Sequence, residues 1–216
     1  GIVDIYVGNR GNRNYDSPCR IAANISKTSK VFCRREGILT TVQDEIVETE
    51  LLVEGVIPPQ LEGVYIRTGP NPKSGSSPHW FMGDGMVHGV RLSQGNAAWY
   101  RNRFVQTPNI TDDVSSQTVD VSDLSRGSAN THVVAHAGKI LCLEEGHWPW
   151  EIDSNLNTVG YENFSGNLKT SMTAHPKICP ETGELLAFSY FSFEQPFLTY
   201  HRINSDGQLI QSEGIE

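Results

Sequence analysis

No helical period survives beyond a turn or two anywhere in these 216 residues. Short alternating runs of apolar and polar residues recur instead, each closed by turn residues. Period-two alternation bounded by Gly, Pro, Asn or Asp is the mark of a half-buried strand. Residues 64–68 read as one strand, ended by Gly69-Pro70-Asn71-Pro72. Residues 87–92 and 97–105 read as a hairpin across Ser93-Gln94-Gly95-Asn96, and 131–136 with 139–143 as a second across Ala137-Gly138. Residues 184–191 and 197–203 pair next, and Asn204-Ser205-Asp206-Gly207 turns the chain into 208–211. The expectation is an all-β meander.

The strands group in fours. One unit takes 131–136, 139–143, 149–153 and 158–161; the next takes 173–178, 184–191, 197–203 and 208–212. Their starts, Thr131 and Thr173, lie 42 residues apart, the length of one four-stranded blade of a β-propeller, about 40–45 residues. A jelly roll or a closed up-and-down barrel needs no such period. A propeller must close its ring, and these strands make only three or four blades, so more chain is expected beyond them.

Composition narrows the function. The hydrophobic share of 38% is enough for a core, mean hydropathy is -0.36, and no run approaches the roughly 18 apolar residues of a membrane-spanning helix. A net charge of -8 argues against nucleic acid, whose phosphates need a basic face. The four cysteines, Cys19, Cys33, Cys142 and Cys179, form no C-x-x-C pair, so neither a zinc ribbon nor a redox motif is expected. Free thiols suit a reducing compartment. Three Asn-x-Ser/Thr tripeptides, at Asn24, Asn109 and Asn163, are common by chance. No signal-peptide pattern opens the chain, so a cytoplasmic setting is expected rather than a secreted one. Residues 1–45 lack periodicity and read as a flexible leader; Asp4, Asp16 and Glu36 make them a poor transit peptide. Both ends of the chain read as cuts.

Several residue patterns could carry chemistry. Gly69-Pro70-Asn71-Pro72 and Gly83-Asp84-Gly85-Met86-Val87-His88 read as loops with glycine where φ must be positive, and Asp84 as a turn-maker rather than a base. His88 reads as a polar inner or edge position of a strand. There is no phosphate-cradling glycine loop and no Gly-x-Ser-x-Gly nucleophile. His132 and His136 share a strand face, about 13 Å apart at about 3.3 Å per residue, too far for one metal ion. No His-Glu-x-x-His zinc helix is present. Glu144 and Glu145 close an apolar strand, and a carboxylate there needs a partner, whether a turn amide, an arginine or the N–H of a metal-bound imidazole. His175 precedes Pro176. Proline pushes its predecessor toward extended geometry, so His175 is expected in a strand with a fixed side-chain direction, as a metal ligand requires.

Taken in order, these segments resemble the carotenoid cleavage oxygenase family, which includes carotenoid and lignostilbene dioxygenases and the retinal pigment epithelium isomerase. The resemblance runs from about Val53 to the end. It rests on Gly-Val-Tyr-Ile-Arg-Thr-Gly-Pro-Asn-Pro at 63–72, His-Trp-Phe-Met-Gly-Asp-Gly-Met-Val-His at 79–88 and Tyr-Arg-Asn-Arg-Phe-Val at 100–105. Ala129-Asn130-Thr131, Leu143-Glu144-Glu145 and Thr173-Ala174-His175-Pro176-Lys177 follow. It implies that residues 46–216 are the N-terminal part of a seven-bladed propeller, with Fe(II) on the axis held by four histidines. His175 matches the first ligand; the other three would lie beyond Glu216, and His201 has no matching motif. Glu145 matches a glutamate that orients one of the later ligands rather than His175, so its partner would be missing here.

The reaction implied is oxidative cleavage by O2 of a C=C bond in a carotenoid or apocarotenoid, giving two carbonyls. Neutral imidazoles suit Fe(II) and leave positions open for dioxygen. Two alternatives stand beside it: a lignostilbene-type substrate, for which Tyr100 is a candidate polar anchor, and a propeller fragment or scaffold without activity. Peripheral membrane contact would suit a lipid substrate, although no amphipathic helix shows it. With one ligand of four, these 216 residues alone are expected to be inactive.

Overall fold

Both sequence-predicted hairpins turn on two residues with positive φ: Gln94 (49°) with Gly95 (75°), and Ala137 (50°) with Gly138 (76°). That backbone matches the right-handed twist of the strands it joins, and glycine in the second place adopts it without steric cost. The computed structural model describes residues 5–7, 19–23, 41–79, 81–112 and 122–215. Its strands are β1 (Ile5–Val7), β2 (Cys19–Ala23), β3 (Val47–Glu48), β4 (Leu51–Glu54), β5 (Gly63–Pro70), β6 (Gly85–Ser93) and β7 (Asn96–Phe104). After a short helix, Pro108–Thr111, and a 3-10 turn, Leu124–Arg126, come β8 (His132–His136), β9 (Lys139–Leu143), β10 (Trp150–Ile152) and β11 (Thr158–Tyr161). The last four are β12 (Lys177–Ile178), β13 (Leu185–Ser189), β14 (Leu198–Ile203) and β15 (Leu209–Ile215). The expected all-β class is what the described residues adopt.

The chain divides into two compact units. The first draws on residues 1–40, 44–66 and 88–102 and holds the sheet β1-β2-β4. Its core packs Ile57, Val90, Leu92 and Tyr100. Tyr100 is 1% exposed, and its hydroxyl hydrogen-bonds His88 Nδ1 at 2.8 Å. A phenol committed to a core histidine is no anchor for a ligand, so the structure removes Tyr100 from the candidates and places His88 inside the strand core. Asn102 fixes the neighbouring segment, accepting from Ile46 N at 2.8 Å and donating to Asp44 O at 2.8 Å. Most of the expected leader, with Cys33 and Asn24, lies outside the described residues; within it, β1 and β2 pair with one another and β2 pairs with β4. A second sheet, ordered β3-β7-β6-β5, contains long strands whose residues belong partly to each unit.

The second unit comprises residues 41–43, 67–87 and 103–216. It contains two antiparallel meanders, β8-β9-β10-β11 and β12-β13-β14-β15, each in sequence order. These are the two four-strand repeats expected from the sequence. A shared core of Leu141, Leu143, Leu168, Met172, Leu185 and Ile203 packs between them, each at 1% exposure or less. His136 Nε2 donates to Gly183 O at 3.0 Å, linking the first repeat to the second.

His201, on β14, is 1% exposed. Its Nδ1 meets Ser212 Oγ at 2.8 Å and its Nε2 meets Thr170 Oγ1 at 3.0 Å. Burial lowers its pKa, so the folded state keeps it neutral where the unfolded chain, titrating at about 6.5, takes up a proton. The unfolded state then binds more protons, and stability falls as pH drops below about 6.5 until the folded group titrates in turn. Thermal unfolding at pH 7.5 and 5.5 should show this loss, and His201→Gln should reduce it; equal pH slopes in the two proteins would contradict the assignment.

Cys142 and Cys179 are free thiols, while the side chain of Cys19 lies outside the described residues. Burial pushes Cys142 up to about 12, whereas hydrogen bonds from the Thr182 side chain and the Thr182 and Glu181 backbone lower Cys179. Because the thiolate is the nucleophile, iodoacetamide at neutral pH should label Cys179 before Cys142. Peptide mass spectrometry checks the order, and earlier labelling of Cys142 would contradict it.

Candidate active-site cavity

The cavity is built in the second unit, where β9 ends. Leu141, Cys142 and Leu143 are buried, and the chain leaves the strand through Glu144-Glu145-Gly146-His147. Glu144 Oε2 accepts from Gly146 N at 3.1 Å, and Glu144 Oε1 accepts from His147 Nδ1. Beyond the turn, Trp148 N donates to Leu124 O at 2.8 Å and Met172 N to His147 O at 3.2 Å. Gly127 leaves room for this arrangement, since a Cβ there would sit 2.7 Å from His147 Cβ.

Glu145 binds the segment that carries His175. Its Oε2 accepts from Ala174 N at 3.0 Å, and its Oε1 lies 3.3 Å from His175 Nε2. The sequence places His175 in a strand; the structure does not, because β12 begins only at Lys177. Pro176 has no N–H to give a ladder, and the N–H groups before it are taken singly. Thr173 N goes to Phe188 O at 2.8 Å, Ala174 N to Glu145, and His175 N to Thr173 Oγ1 at 3.1 Å. His175 is thus fixed by side-chain contacts, with its own side chain 62% exposed. The sequence reading leaves Glu145 without a partner in this chain; in the structure it faces His175 itself.

The His132 ring lies 6.1 Å from that of His175, and burial, with His175 and Lys177 nearby, lowers its pKa. Tyr190 is pushed up by partial burial and by the Glu145 charge. Elsewhere in the lining, Asn130 donates to Phe81 O at 3.1 Å and Gly83 O at 2.8 Å. Thr68 Oγ1 donates to Ala129 O at 3.0 Å. Asp84 acts as the turn-maker expected: its Oδ2 accepts from Lys73 N at 2.9 Å and its carbonyl from Asn71 N at 2.8 Å. Of the glycines expected there at positive φ, Gly83 has it, at 158°. Gly69 and Gly85 do not have it, and Gly85 is required by the close approach of Ser128 and Ala129.

These residues line an open cavity of about 700 Å³, with Pro70, Phe81, Met82 and Phe191 as apolar surface and Glu144, Glu145, His147 and His175 among the polar groups. Apolar surface with polar groups set into it is what a small-molecule site offers. The Glu144–His147 pair is a feature the sequence reading missed; an acidic residue three before a histidine across a glycine was the available signal. Among the described residues, no three His, Cys, Asp or Glu side chains come together to hold a metal ion. His175 offers one imidazole, with Nε2 toward Glu145. These residues alone do not make a metal centre.

The model of the family described as RPE65, retinal pigment epithelial membrane protein, matches residues 39–216. A carotenoid cleavage oxygenase of Mycobacterium tuberculosis is 42% identical over 189 residues, 84% of this chain and 38% of that protein. A carotenoid 9,10(9',10')-cleavage dioxygenase 1 of Arabidopsis thaliana is 35% identical, over 79% of this chain and 38% of its own. Among solved structures, a Pseudomonas brassicacearum lignostilbene dioxygenase is 31% identical with a TM-score of 0.68, covering 80% of this chain and 40% of that one. A cobalt-substituted Synechocystis oxygenase, 24% identical over 81% of this chain and 43% of that one, has a TM-score of 0.66 and shares the fold. The chain spans about two fifths of the length of the curated relatives named.

Proposed function

The chain belongs to the retinal pigment epithelial membrane protein family, and on that premise we propose that it forms part of a non-haem iron dioxygenase that splits a C=C bond of a carotenoid, apocarotenoid or stilbene into two carbonyls. The observation that carries this reading is the apolar cavity onto which His175 opens, with the imidazole held by Glu145. The two meanders are blades of a propeller that further chain completes, and His175 is one of several imidazoles on Fe(II). The remaining ligands come from outside the described residues. The contribution of this chain is a positioned imidazole and a cavity with apolar surface that places the double bond. Exposed Phe193 and Phe197, at 79% and 56%, suit peripheral contact with the membrane that would hold a lipid substrate.

The test uses the full gene product loaded with Fe(II) and offered a C40 carotenoid or a stilbene in air. Mass spectrometry should find paired aldehydes from one of the two classes. Iron-loaded protein that cleaves neither would overturn the reading.

A further inference from the structure

We infer that Asn130 is a positioning residue: by holding the loop that carries Phe81, Met82 and Gly83, it fixes which double bond of a bound polyene is cleaved. This rests on the proposed function above. Asn130 is 6% exposed and belongs to the lining of the cavity. Its amide nitrogen donates to Phe81 O at 3.1 Å and to Gly83 O at 2.8 Å. Its Oδ1 accepts from Thr131 Oγ1 at 2.9 Å. Both amide hydrogens are thus spent on protein carbonyls, and two carbonyl partners allow only one placing of the amide nitrogen and oxygen. A side chain committed in this way has no donor left for a ligand. Its influence on the substrate runs through the loop it holds.

The segment bearing Asn130 is a stiff anchor. Gly85 N donates to Ser128 O at 2.8 Å and Thr131 N to Leu143 O at 2.9 Å, and Thr68 Oγ1 donates to Ala129 O at 3.0 Å. The backbone beside Asn130 is therefore tied to β5, β6 and β9. The loop is bonded more locally: Met82 N donates to His79 O at 2.9 Å, and Ser77 Oγ to the same carbonyl at 2.7 Å. Packing holds Phe81 weakly, since it is 67% exposed. Yet Phe81 and Met82 supply apolar surface to the cavity, against which an apolar chain would lie. Where that surface stands relative to His175 decides which carbons reach the reacting position. A misplacement of about 1 Å can cost about 100-fold in rate, so a loop free to shift lets neighbouring double bonds compete.

The experiment uses the full gene product loaded with Fe(II), in air, with a C40 carotenoid and 1,6-diphenylhexatriene, each offering double bonds at several positions. Mass spectrometry of the aldehydes reads the position of cleavage, a ratio that the fraction of folded protein does not move. Asn130→Asp keeps the shape and the acceptor for Thr131 but sets an oxygen against the two carbonyls. Asn130→Ala lets water from the open cavity reach them. In each, aldehydes from neighbouring bonds should rise about 10-fold relative to the main pair, and peptides spanning Met82 should exchange hydrogen faster. Asn102→Ala is the control. Asn102 also bridges distant segments, at Ile46 and Asp44, but is not among the described residues lining the cavity; its loss should lower Tm and leave the ratio unchanged. An unchanged ratio in the Asn130 variants, the same shift in Asn102→Ala, or failure of both Asn130 variants to fold would overturn the inference and leave the proposed function standing. Natural protein that cleaves neither probe would overturn it too, and the proposed function with it if stilbene also stays intact.

Discussion

Alanine at Gly85 is expected to destabilise the protein by about 3 kcal/mol or more, the range of severe overpacking. An added Cβ would lie 2.4 Å from Ser128 O and 2.5 Å from Ala129 O. Both obstacles are backbone carbonyls, which cannot swing aside as a side-chain tip can. Gly85 is also tied down on both sides, donating to Ser128 O and accepting from Val105 N, each at 2.8 Å. Against a total stability of roughly 5–15 kcal/mol, the loss should lower Tm by roughly 6–12 °C. Gly138→Ala is the control. That site has φ of 76° and nothing within 4 Å of a new Cβ, so only backbone strain of about 1 kcal/mol is expected. Equal Tm losses in the two variants would refute the close-approach explanation.

His175→Ala should do the opposite: leave the fold intact and abolish iron retention and cleavage in the full gene product. The side chain is 62% exposed and faces the Glu145 carboxylate, so its removal should change stability by no more than about 0.5 kcal/mol. The backbone tie from Ala174 N to Glu145 survives the change. Glu145→Gln is the graded companion. It keeps an acceptor for Ala174 N and removes the charge facing His175, and loss of a partner of this kind lowers metal affinity about 10- to 100-fold. Iron per protein after desalting, beside Tm, separates the effects. Full iron stoichiometry in His175→Ala would refute its role as a ligand.

The fold was legible where local chemistry decides it. The sequence marks Ser93-Gln94-Gly95-Asn96 and Ala137-Gly138 as turns between alternating runs, and the structure turns both hairpins there. Legibility ended where distant segments meet. Gly85 reads as a turn glycine because the carbonyls of Ser128 and Ala129 that crowd it come from more than 40 residues away. His175 reads as a strand residue because Pro176 favours extended backbone, yet a proline also withholds the N–H a ladder needs, and Glu145 satisfies Ala174 instead. Tyr100 could not be assigned to core or cavity until His88 was seen to take its hydroxyl. The Glu144–His147 pair lies within four residues of sequence, but the close approach of Gly127 to His147 comes from a distant segment. β1, at three residues, is too short to show a period at all, and β2, Cys-Arg-Ile-Ala-Ala, does not alternate.

Oxygen labelling tests the central claim most directly. The full gene product, loaded with Fe(II) and given 18O2 with whichever polyene or stilbene it turns over, should yield two carbonyl fragments that both carry label in brief reactions, before exchange with water. Unlabelled fragments under those conditions, or cleavage that proceeds equally without oxygen, would contradict the assignment of this chain to a double-bond-cleaving dioxygenase.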